Sequence, residues 1–184
     1  MPDHEHALRI WRLCQECALT VANKRPVPAY ADRVARLLFG TAAQESGLRW
    51  ERQRTPRFEG NVGGFSKWQV EPGSVEQSMV MLRAQPKSLA NATAWLFADP
   101  NASTTWVDAL PLEMILWALR LDDNDKIGVM FARLHYARVN APVPEGLSAQ
   151  AAYWKRWYNT SAGSGTVEQY LANWETYCRE VVDA

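Results

Sequence analysis

A chain of 184 residues is long enough for one hydrophobic core and short for two, so a single domain over 1–184 is expected. Its 20 basic and 20 acidic side chains cancel, which argues against a bulk electrostatic attraction to nucleic acid or to an anionic membrane. With 47% hydrophobic residues the chain is too apolar for disorder, yet no apolar run approaches the ~20 residues of a membrane span.

The start, Met1-Pro2-Asp3-His4-Glu5-His6, is polar and acidic, whereas a secretory signal opens on a basic segment and an apolar stretch. The expectation is a protein made in the bacterial cytoplasm without a signal peptide. Apolar residues at Leu8, Trp11, Leu13, Leu19 and Val21 predict a helix over about 6–22, ended by Pro26 and Pro28. Cys14 and Cys17 stand three apart on that helix, and with Cys178 they make an odd count that argues against a disulfide-stapled module. They read as small core residues, and neither a metal nor another cofactor is expected. A second helix is predicted over about 29–47, with Val34, Leu37, Leu38, Thr41 and Ala42 inward and Gly47 closing it.

The pattern then breaks. Residues 54–70 mix Gly60, Asn61, Gly63 and Gly64 with short alternation at Lys67-Trp68-Gln69-Val70, which predicts a small β-hairpin or irregular loop. Ser74, with Gln77 three residues on, reads as a capping box for a helix reaching about Arg83. Further helices are predicted near 87–97, 104–120, 123–138, 148–159 and 166–182, the last opened by Thr166 with Gln169.

Gln44-Glu45-Ser46 at a helix end, followed by a glycine-rich segment that closes on Trp68-Gln69 and Pro72, resembles the lysozyme-like lytic transglycosylase superfamily, phage-type, over roughly residues 30–140. The resemblance implies a mainly α, lysozyme-like helical bundle with a small β-hairpin beside the cleft. It implies Glu45 as the catalytic acid within a Glu-Ser pair, Gln69 at the end of the family's Gly-Leu-Met-Gln type turn, and an Ala-Tyr-Asn type tyrosine facing the glutamate, for which Tyr136 is the nearest candidate. The chain departs from the family at Ser66, where the turn has a glycine. The segment from Tyr153 to Thr166 resembles small phage proteins that carry the same glutamate segment.

The chemistry has its own rationale. A glutamate among apolar and aromatic neighbours keeps its proton to higher pH and can protonate a leaving glycosidic oxygen. Ordinary hydrolysis adds a second carboxylate about 5–5.5 or 6.5–9.5 Å away, and Glu51, Glu59 and Glu71 are the open candidates. A transglycosylase instead uses Glu45 as acid and then base, with no second carboxylate. Ser46 either orients the carboxylate or bonds to its own helix end. Gln69 is a candidate for binding an N-acetyl or hydroxyl group. Trp50 and Trp68 flank the expected cleft and read equally as sugar-stacking faces or core anchors.

The expected function is cleavage of peptidoglycan between N-acetylmuramic acid and N-acetylglucosamine by an enzyme of phage or prophage origin. Its partners would be glycan strands and other virion proteins, and its location the virion or, after release, the periplasm. The alternatives are a non-catalytic virion structural or adaptor protein on the same scaffold, and a carbohydrate-binding module.

Overall fold

The computed structural model describes residues 3–21, 27–49, 64–99, 101–108, 124–161 and 163–184. Among them the chain is mainly helical: α1 (His4–Thr20), α2 (Pro28–Ser46), α3 (Pro72–Arg83), α4 (Pro86–Phe97), a 3-10 turn (Thr105–Asp108), α5 (Asp125–Ala137), α6 (Leu147–Trp154), a π-helical turn (Lys155–Asn159), α7 (Val167–Tyr177) and α8 (Arg179–Val182). No described helix is long and apolar enough to cross a membrane.

α2 is the central element. Every residue from Leu37 to Ala43 is buried, so this helix is enclosed all round rather than along one stripe. The expected face of Val34, Leu37, Leu38, Thr41 and Ala42 is inside, and Phe39, Gly40 and Ala43 join it because α1, α5, α6 and α7 all pack on α2. At Gly40 a methyl group would lie 2.1 Å from the Tyr170 hydroxyl, so glycine is what lets α7 approach. Gly47 ends the helix in the left-handed conformation at φ 60°, its N–H bonded to Ala43 O at 2.9 Å, as the sequence predicts.

α1 is capped by the Asp3 carboxylate and buries Ala7, Ile10, Trp11, Cys14, Cys17 and Ala18 at helical spacing. All three cysteines are buried thiols in the core. Burial pushes the Cys17 thiol up to about 12 and Cys14 well above its ordinary value, so neither is a reactive thiolate. α5 opens on Asn124, whose side chain accepts from the N–H groups of Lys126 and Ile127, and it is buried from Ile127 to Leu134. Ahead of that buried run, Asp125 in its first turn joins Lys67, 3% exposed, at 2.7 Å to Arg9 at 2.8 Å, tying α1, α5 and the turn after Gly64 together. α7 begins with the expected capping box of Thr166 and Gln169.

Several expectations need correction. Ser74 does not cap α3: that helix starts at Pro72 with no side-chain cap, and Ser74 Oγ bonds instead to His135. The helix expected over 148–159 changes to π-helical winding at Lys155, and the one over 166–182 breaks at Cys178. Of the helix expected over 104–120, the described part is a 3-10 turn, and 109–120 lie outside the described residues. Residues 54–63 also lie outside them. What is described of the expected hairpin is one antiparallel bridge, Phe65 to Val70, closing a four-residue turn.

Candidate functional site

Glu45 sits in the last turn of α2, partly exposed at the edge of the core. Its Oε1 accepts a 2.9 Å hydrogen bond from Nε1 of Trp154, the fully buried last residue of α6. The indole N–H fixes that oxygen in place. Glycine at 165 is required here, because a methyl group would stand 2.6 Å from the Trp154 ring and 3.1 Å from Gln44 Nε2. Gln44 in turn accepts from Asn173 at 2.9 Å, which anchors the end of α2 to α7.

Two tyrosines border the carboxylate. Tyr158 stands in the π-helical turn and Tyr136 on α5, with ring centroids 5.1 Å apart. Burial pushes both hydroxyls well above their ordinary pKa, and the negative charge of Glu45 adds to each. Neither hydroxyl is available to the carboxylate: Tyr158 donates to Trp68 O at 2.8 Å, and Tyr136 bonds to Thr41 Oγ1 at 2.8 Å. Since the Thr41 proton is already given to Leu37 O, Tyr136 is the donor in that pair.

The turn Ser66–Gln69 joins this region through Tyr158. Ser66 has φ 65° and Gln69 φ 50°, so two non-glycine residues of this turn hold a left-handed backbone. The Gln69 amide nitrogen donates to Ser66 O at 2.8 Å, and its Oε1 is buried with no hydrogen-bond partner among the described residues. An unmatched buried acceptor costs about 1–3 kcal/mol.

The other expected site residues fall differently. Ser46 is buried and bonds back to Ala42 O at 2.9 Å, so it serves its own helix end rather than orienting the carboxylate. Trp68 is fully buried with its indole N–H on Leu38 O at 2.8 Å, which makes it a core anchor and removes it as a sugar-stacking face. Tyr136, 3% exposed, is likewise a core residue and not a substrate contact. Trp50, Glu51 and Glu59 lie outside the described residues.

Trp154 and Tyr158 also border Glu45 and were not among the expected site residues. His135 fixes the π-helical turn. Its Nε2 donates to Trp157 O at 2.8 Å, because a carbonyl can only accept, which leaves Nδ1 to accept from Ser74 at 2.8 Å and Arg138 at 2.8 Å. Burial, with Arg138 alongside, lowers its pKa to about 4, so the ring is neutral at neutral pH. π-helical turns recur at functional sites, and Thr160, just beyond this one, is held at φ 61°, ψ 178°, a region costly for any residue but glycine.

No protein-family model matches the chain, and neither curated proteins nor solved structures yield a similar relative. The fold and site therefore define a class in physical terms: a mainly helical chain in which, among the described residues, the Glu45 carboxylate is held by an indole N–H beside two buried tyrosines.

Proposed function

We propose that this protein cleaves the glycan strand of peptidoglycan between N-acetylmuramic acid and N-acetylglucosamine, on a lysozyme-like helical scaffold, as a phage or prophage lytic transglycosylase or muramidase. The observation that carries the reading is the partly exposed Glu45 carboxylate at the end of a buried helix, its Oε1 held by the Trp154 indole N–H. The Glu45 carboxyl would give its proton to the leaving oxygen and then take one back as base. Gln69 is kept as the candidate for binding an N-acetyl or hydroxyl group of the substrate. Trp50 remains the candidate stacking face. The protein would reach its substrate as a virion component or after release to the periplasm.

Glu45→Gln keeps an acceptor for Trp154 but cannot transfer the proton. Clearing of purified peptidoglycan is expected to fall about 10²–10⁴-fold with the melting curve unchanged. Mass spectrometry of the products separates anhydromuramic ends, made by a transglycosylase, from the reducing ends of a hydrolase. Retained clearing by the variant would remove Glu45 from the mechanism.

One observation favours a second reading, a non-catalytic virion structural or adaptor protein: Ser46, Trp68 and Tyr136, three expected substrate contacts, are core residues. Absence of any cleavage product from the native protein, together with a fixed copy number in a purified particle, would select it.

A further inference from the structure

A second concave site lies away from Glu45. Arg36 and Glu45 are nine residues apart on α2, about half a turn round the helix, so the two face different sides. The cavity encloses about 480 Å³, within the range of small-ligand sites. Its lining includes Arg33 and Arg36 of α2, Gly146 and Leu147 at the start of α6, Arg179 and Asp183 at the C-terminal end, and Trp174 and Gln150.

Gln150 gives the site its chemistry. It is only 2% exposed, and both acceptors of its side-chain amide are carbonyls, Arg33 O at 3.1 Å and Pro144 O at 3.2 Å. Its nitrogen must therefore face them, which settles the orientation of the amide. Oε1 accepts from no group among the described residues and stands as a fixed acceptor in the cavity lining.

The guanidinium groups are held loosely. Arg33 pairs with Glu145, itself 81% exposed, and Arg36 with Asp32, 49% exposed. Exposed pairs of this kind contribute about 0–1 kcal/mol, so a ligand carboxylate displaces the resident one at small cost. Three arginines and three acidic residues, Asp32, Glu145 and Asp183, line the cavity, and that balance suits a dipolar ligand better than a polyanion.

We infer that this cavity is a binding site for a short peptide with a free carboxylate, the carboxylate on Arg33 and Arg36 and a peptide N–H on Gln150 Oε1. The site is independent of the Glu45 reading and stands or falls separately from it.

The test is titration of the full-length, ¹⁵N-labelled protein with trialanine, trialanine amide and inorganic phosphate, following backbone amides by NMR. Trialanine is expected to shift the amides of Arg33, Arg36 and residues 146–150 in a saturable way. Its amide, and trialanine with the Arg36→Gln variant, are each expected to bind about tenfold more weakly. Arg36 is 38% exposed, so the variant keeps its fold, and an unchanged amide spectrum elsewhere verifies that. No saturable shift at these residues overturns the proposal, as does equal binding of the amide or of phosphate, or an undiminished response in Arg36→Gln.

Discussion

Trp154 lends one N–H to Glu45 across 109 residues of chain, and that bond belongs to tertiary structure alone. Phenylalanine at 154 would keep most of the ring volume in the core and remove only the donor. Trp154→Phe is expected to cost about 1–2 kcal/mol of stability. On the proposed reaction, turnover falls about 10–100-fold with KM nearly constant, because the carboxylate loses its orientation rather than the substrate its contacts. Steady-state kinetics on soluble glycan chains and a urea melt check both parts. Glu45 itself was legible as a carboxylate at a glycine-closed helix end. The burial of Trp68 and Tyr136 was not, since an aromatic side chain reads alike whether it faces a sugar or a core.

Helix α5 meets the Ser66–Gln69 turn at Gly128. A methyl group there would lie 2.8 Å from Ser66 Cβ and Oγ and 3.1 Å from the Trp68 ring. Alanine favours a helix over glycine by about 1 kcal/mol, and overpacking of a filled core costs about 1–3 kcal/mol. Packing wins at this spacing, so Gly128→Ala is expected to lower stability by about 1–2 kcal/mol in chemical denaturation, against its helix propensity. A neutral or stabilising result would mean that the turn yields readily to α5. At this scale the sequence predicted most helices well. Gly47 and the Thr166–Gln169 box mark their termini by local chemistry, which neighbours along the chain suffice to show. Ser74 and Gln77 misled because the same pair of side chains satisfies His135 of α5 and Arg138 just beyond it, instead of its own helix.

Across the whole molecule, His135 couples the fold to pH. Its ring lies against Ser74 of α3, Trp157 and Tyr158 of the π-helical turn, and Tyr136 and Arg138 beside it on the chain. Its pKa falls from 6.5 to about 4 on folding, so between those values the unfolded chain binds the proton and the folded one does not. Its contribution to stability is therefore full above pH 6.5, declines through the window and is gone below about 4. The loss is expected to reach about 3 kcal/mol, read from urea melts across that range. His135→Gln, which retains a donor for Trp157 O, should flatten that slope, and an unchanged slope would assign it to other groups.

Local pattern was enough for a mainly helical chain, the approximate positions of α1 to α5, the Gly47 close of α2 and the Thr166–Gln169 box of α7, and it singled out Glu45 as a candidate acid. Those properties depend on residues within about a turn or two of one another, where periodicity and capping act. Tertiary structure alone decided which donor holds Glu45, that Trp68 and Tyr136 belong to the core, that α6 winds on into a π-helical turn, and that Arg33, Arg36 and Gln150 line one cavity. Each of these is a contact between segments far apart in the chain, and its stability comes from burial and hydrogen bonds that no local window contains.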